Sequence, residues 1–232
     1  MIKNILTVVA IIGLGWILYP LLVDFETSTV LNPLAQEYVK GSAADLNLPN
    51  AVTAVVVTYR GLDTLGEVTV LFLATAGIGY FLKRRSNKKA KQTAGSEILQ
   101  TGAKLLTPLF MVFGIYIFSH GHLSPGGGFQ GGVVIASGIL MIVLAEVNFH
   151  FSHLILQFSE SLSGIAYVGM GLAGLVLLGL NNFLDPRYFL PGNYLALFSA
   201  GAIPVIYSLI GIKVGSELAS VLAAIQQDGG EA

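Results

Sequence analysis

The sequence predicts an all-α polytopic membrane protein with about six transmembrane helices and both termini in the cytoplasm. Three observations predict it. The chain is 54% hydrophobic and 11% charged, whereas soluble domains carry about 25% charged residues. Its apolar residues are gathered into runs of about 20, the length a helix needs to cross a bilayer. Its Lys and Arg residues concentrate in one loop, 83–91, as a cytoplasmic connection requires.

The first run, 5–23, competes with a cleaved signal peptide. A signal core is about 7–15 residues long and ends at small residues; this run is longer and ends in Trp16, Tyr19 and Pro20, so it reads as a retained helix. The second span lies inside 51–82, which as one helix would reach about 48 Å. Lys83, Arg84 and Arg85 pin its inner end, and counting back about 20 residues puts its outer boundary near Leu62. Residues 51–61 then form an extension, an interfacial helix or a broken half-helix, with Gly61 and Gly66 as places for a break. Four further spans follow at 101–119, 132–149, 163–181 and 193–212. Residues Lys213 to Gln227 read as a helical extension of the last span into the cytoplasm.

Orientation follows from the basic residues. Loop 83–91 holds Lys83, Arg84, Arg85, Lys88, Lys89 and Lys91 without an acid. Setting it inside puts Lys3, 150–161 and the C-terminus inside, and 24–50, 120–131 and 182–192 outside. The same loop divides the chain into an N-terminal two-helix segment, 1–92, and a four-helix membrane domain, 93–232. There is no cysteine, which excludes disulfides and thiolate-bound zinc or iron–sulfur clusters. No internal repeat is visible, which counts against a self-contained carrier. No nucleophile–base constellation stands out either; Ser137 lies in an apolar helix without an evident base.

The run from Val57 to Glu67 carries the most information. Arg60, Asp63 and Glu67 are spaced i, i+3, i+7, one face of a helix. Each charge in hydrocarbon costs at least about 2.5–3.5 kcal/mol. Such a face is either a proton or sodium relay or an ion-pair cluster that locks this helix to a neighbour. Lys104 and Glu146 both fall toward the cytoplasmic side. They either pair and feed a polar path, or Lys104 snorkels and Glu146 caps its helix. From His120 to Gly132 the chain is glycine-rich. Pro125 suits a helix start, and Gly127 with Gly131 and Gly128 with Gly132 are each four apart, the small-xxx-small spacing of close helix packing. A phosphate loop lacks its lysine, its Ser/Thr and its preceding strand here. His120 with His122, and His150 with His153, are pairs without a third ligand, so no metal site is expected.

The segment Arg60 to Glu67, followed by an apolar helix, resembles a motif of Mrp-type multisubunit sodium/proton antiporters. There it lies in the C-terminal part of the large MrpA-type chain, or in a small separate chain of archaeal membrane-bound hydrogenase-type complexes. The segment from about Ile98 to Gln226, with Gly121-His122 and the Ser124 to Gly132 motif, resembles the MnhB/MrpB family of the same antiporters. The chain thus resembles a fusion of two pieces. The resemblance implies an accessory membrane subunit of a cation/proton antiporter module, not itself an enzyme, alone or within a respiratory complex related to membrane-bound hydrogenase and complex I. It carries an ion-path role to Asp63 and Glu67, and a packing and assembly role to Pro125, Gly126, Gly127, Gly128 and Phe129, beside the glycine faces of Gly131 and Gly132. Relatives carry a further acid two positions before the arginine; Thr58 stands there, leaving two acids and a hydroxyl. The implied partners are other Mrp-type subunits, hydrogenase-like and iron–sulfur subunits where a redox module is attached, and membrane lipid. Nucleic acid is not among them. No cofactor is expected in this chain, and Na+ and H+ are the expected transported ions. The alternative is a structural spacer with no ion path of its own.

Overall fold

The computed structural model describes residues 2–23, 30–85, 95–146, 152–179 and 183–230. Lys88, Lys89, Lys91 and His150 lie outside the described residues. Six helices are long and apolar enough to cross a membrane, and the chain divides into two units, Met1–Glu37 and Tyr38–Ala232.

The first unit is built around α1 (Ile2–Val23). Its candidate membrane span is Asn4–Val23. Helix α2 (Pro33–Ala44) begins in this unit. The Asn32 side chain accepts the Ala35 N–H at 2.7 Å, and Pro33 takes the first position, where a missing N–H costs nothing.

In the second unit, α3 (Ala51–Thr53) is capped by Asn50 and widens into π-helical turns at Ala54–Tyr59. Helix α4 (Gly61–Arg85) follows a break at Arg60. Then come α5 (Glu97–Ser119), α6 (Gly128–Ala145) and α7 (His153–Leu177). A short 3-10 turn (Pro186–Tyr188) precedes α8 (Ile203–Gly230). Helix α8 is the hub and touches α4, α5, α6 and α7. Half of its span is buried, against 6% for α4. Its Ile203, Ile206, Ile210 and Val214 are buried with Tyr167, Leu184, Val57 and Leu48, a stripe at helical spacing.

Lipid offers little hydrophobic drive between helices, so close backbone approach has to supply the contact. A Cβ on Gly131 would stand 2.6 Å from the Gly114 carbonyl of α5. One on Gly132 would stand 2.8 Å from the Gly211 carbonyl of α8. Helix α6 is thereby wedged between both neighbours.

Helix α5 starts four residues before the expected 101, at Glu97, and three further spans differ from the sequence reading. Helix α6 starts at Gly128 rather than residue 132, and α7 at His153 rather than 163, so most of 152–161 is helix and not loop. The last span, expected at 193–212, begins only at Ile203 and crosses as Ile203–Gln226. Residues 191–202 are turns, with Gly192, Leu195, Ala200 and Gly201 all at positive φ, and the Ala200 N–H donates to the Pro191 carbonyl at 2.8 Å. That hydrophobic but turn-forming stretch displaces the helix by ten residues. The expected cytoplasmic extension, with Lys213 and Glu217, lies inside the membrane helix instead.

Candidate functional site

Polar groups gather at three levels of the second unit. The first is the break before α4. The π-helical turns free the Val56 carbonyl, and the Thr64 hydroxyl, eight residues on, donates to it at 2.6 Å. A Ser/Thr side chain re-satisfying backbone in this way lets an interrupted helix persist in a membrane. Gly61 fits here because a Cβ would press on Leu184 and the Phe183 carbonyl at 3.1 Å. Arg60 sits outside the helical region (φ −124°, ψ 35°), so it is not on one continuous face with Asp63 and Glu67 as expected. It still forms an ion pair with Asp63. Their side chains are 63% and 53% exposed, and Glu67, one turn along α4, is also exposed. Thr58 is buried, and its hydroxyl has no partner among the described residues.

The second level is a latch over the glycine-rich turn. Asn50 accepts the Val52 and Thr53 N–H groups and donates to the Gly121 and Ser124 carbonyls at 2.9 and 3.0 Å. Thr53 donates to the Gly121 carbonyl at 2.6 Å, and Tyr207 donates to Thr53 at 3.1 Å. Gly121 and Gly127 make room for the Tyr207 ring, at 2.7 and 3.3 Å from their absent Cβ positions. Gly126 takes φ +151° against Ile117. Phe129 packs at the edge of the main core, while Pro125 lies in the turn before α6. His122 is fully buried, its Nε2 3.3 Å from the Ala196 carbonyl, and burial pushes its pKa below the ordinary histidine value. Nearby, buried Asp185 is forked by Arg187, with Nε 2.9 Å from Oδ1.

The third level is in mid-span and was missed by the sequence reading. Lys213 Nζ lies 2.6 Å from Glu217 Oε1; Glu217 is fully buried and Lys213 nearly so. The ammonium also stands 5.3 Å from the centre of the Phe72 ring of α4, within cation–π range. The i, i+4 charges in an apolar stretch were the available signal, but the misplaced last span put them in the cytoplasm. Lys104 and Glu146 are both exposed. They form no ion pair with each other among the described residues. Glu146 is the C-cap of α6.

Six apolar helices with charged groups held at their breaks and centres define a multi-pass membrane protein. Residues 98–220 match the family described as a domain related to the MnhB subunit of Na+/H+ antiporter, and the chain belongs to that family. Residues 2–97 match a second family, MbhE, described as a subunit of MBH. An uncharacterized protein of Methanocaldococcus jannaschii is 32% identical over 192 residues, covering 72% of this chain and 73% of that one. The B-type subunit of the Na(+)/H(+) antiporter of Bacillus subtilis is 36% identical over 107 residues, 45% of this chain and 69% of the relative. Among solved structures, a chain of the membrane-bound sulfane sulfur reductase, an archaeal respiratory membrane complex, superposes with a TM-score of 0.82 at 40% identity, covering 97% of this chain and 98% of that chain. A chain of the Mrp complex of Dietzia sp. shares the fold, with a TM-score of 0.77 at 22% identity, over 99% of this chain and 26% of its own length.

Proposed function

We propose that this chain is an accessory subunit of an Mrp-type cation/proton antiporter module within a membrane-bound respiratory complex, and that α4 lines its ion or proton pathway. The family match and the two solved complexes support the membership. The pathway role rests on one observation: Asp63 and Glu67 are exposed on a helix that is only 6% buried within its own chain, beside exposed Arg60 at its start. Lipid cannot be what covers these charges, at about 2.5–3.5 kcal/mol or more each. A partner subunit or a water-filled path covers them instead. Gly66, Gly77 and Gly79 of α4 also face open space within the chain, where a neighbouring helix can approach closely. In this reading both termini are cytoplasmic, as the basic loop sets them, the transported ions are Na+ and H+, and any redox chemistry belongs to hydrogenase-like or iron–sulfur partner subunits.

The test is Glu67→Gln in the intact complex. Membrane vesicles carrying the assembled variant are expected to lose most sodium-driven proton movement, followed with a pH-sensitive dye. Unchanged exchange in a fully assembled complex would reject the pathway role and leave the chain as a spacer.

A further inference from the structure

Lys213 and Glu217 play no part in the reading above. They lie ten and fourteen residues into the 24-residue span Ile203–Gln226, about 15 and 21 Å from its start, which is mid-membrane. Burying two ions costs several kcal/mol each, and replacing a buried pair by apolar side chains is often neutral or stabilising. Stability alone therefore gives α8 no reason to hold this pair. Lys213 engages Oε1 of Glu217, and Oε2 has no hydrogen-bond partner among the described residues. The contact with Lys213 is an ion contact that leaves lone pairs open.

The surrounding groups form a ladder across the bundle. On α7, Glu160, Ser163, Gly164 and Tyr167 are spaced three and four apart, one helix face. Gly164 lets the ammonium lie against α7: its absent Cβ would be 3.4 Å from Lys213 Nζ. One turn along, the buried Tyr167 hydroxyl has no hydrogen-bond partner among the described residues, and on α4 Glu67 lies five residues before Phe72, toward the Arg60 break. On the other side, half-buried Glu160 lies one turn before Gly164 on the same face of α7. The order from the Arg60 break toward the basic loop is Glu67, Tyr167, the Lys213–Glu217 pair, Glu160.

We propose that the Lys213–Glu217 pair is a membrane-embedded proton-transfer site of this chain, loaded from Glu67 through Tyr167 and emptied toward Glu160; this rests on the reading of Glu67 as a pathway acid. Protonated Glu67 gives its proton to the Tyr167 oxygen as the Tyr167 hydroxyl releases its own, along intervening water, to the Glu217 carboxylate. Neutral Glu217 loosens from Lys213, which keeps its charge over Phe72. Glu217 then hands the proton to the Glu160 carboxylate, and the ion pair re-forms. Glu67 then takes up a fresh proton from the side of the Arg60 break and Glu160 releases the one it received toward the basic loop, so one proton enters, one leaves, and the chain is unchanged.

The experiment compares Glu67→Gln, Glu217→Gln and the double variant Lys213→Met/Glu217→Leu in the whole complex. It measures sodium-driven proton movement in vesicles and, in parallel, assembly by native gel. The double variant is included because Glu217→Gln strands a buried ammonium and is liable to misfold. The expected result is an assembled double variant whose exchange falls about a hundredfold, the low end of what a positioned proton donor contributes. A protonated-carboxyl infrared band that appears in the wild type during exchange should be absent from it. An assembled double variant with full exchange overturns the assignment, as does one that cannot assemble, since the pair is then a strut. If Glu67→Gln loses exchange while the double variant keeps it, the pathway reading stands and this inference falls. If both keep it, both fall.

Discussion

The glycine seam around α6 and the outward face of α4 are both rich in small and polar residues, yet they are finished differently. Along the seam every group meets something in its own chain: Gly131 meets α5, Gly132 meets α8, and Asn50, Thr53 and Tyr207 tie the turn at 120–124 to α3 and α8. On α4 Gly66, Gly77 and Gly79 face open space and Asp63 and Glu67 are exposed. A membrane chain cannot leave polar groups to lipid. Groups completed internally therefore hold the fold, and groups left open mark where the rest of a complex, or water, completes it.

The largest effect that sharpens this contrast is expected from a matched pair of substitutions. A Cβ at Gly128 would stand 2.6 Å from Ile210 and 2.8 Å from the Tyr207 carbonyl, while Gly66 has nothing within 4 Å. Gly128→Leu forces α6 off α8, a strain of about 3 kcal/mol or more because backbone must shift. The variant subunit is expected to vanish from detergent-solubilised membranes even when expressed alone. Gly66→Leu should leave the isolated subunit folded and remove it only from the complex. Equal behaviour of the two variants in size-exclusion profiles would erase the distinction between a seam and a docking face.

An intermediate effect is expected at Asn50. Asn50→Ala removes the cap on α3 and the two donors to Gly121 and Ser124, a loss of about 1–2 kcal/mol. Hydrogen exchange should rise across 51–59 and 120–124 together, while α4 beyond Thr64 is unaffected. Exchange rising along the whole of α4 would mean that the break at Arg60 does not uncouple the two segments.

The contrast also explains what the sequence made legible. Composition and run length were enough for an all-α, multi-pass architecture, because the bilayer fixes helix length. The glycine spacing at Gly127 to Gly132 pointed to close packing, but not to which helices it would join. Hydropathy failed at α8 for a definite reason. Residues 193–202 are as apolar as a span, yet they form turns, with Leu195, Ala200 and Gly201 at positive φ and the Ala200 N–H donating to the Pro191 carbonyl. Shifting the span by ten residues hid two buried charges, Lys213 and Glu217. Arg60 was placed on the face of α4 because periodicity cannot show a π-turn, which depends on the Thr64–Val56 bond eight residues apart. Lys104 and Glu146 were legible as charges near helix ends, but the pairing considered for them is absent among the described residues.

The smallest expected effect concerns His122, on the completed side of the comparison. Burial is the main cause of its lowered pKa, so the neutral ring is the folded form and its Nε2 faces the Ala196 carbonyl. As pH falls through the ordinary value of about 6.5, the unfolded chain binds a proton that the folded chain still refuses. Stability is then full above that value and is lost below it, down to the depressed folded pKa. Hydrogen exchange at 120–127 and 193–199 should therefore quicken just below the ordinary histidine value. His122→Gln should flatten that dependence at the cost of a slightly looser turn at all pH. A wild-type profile that is flat there would mean that water already reaches the ring, and that the seam is less closed than its burial implies.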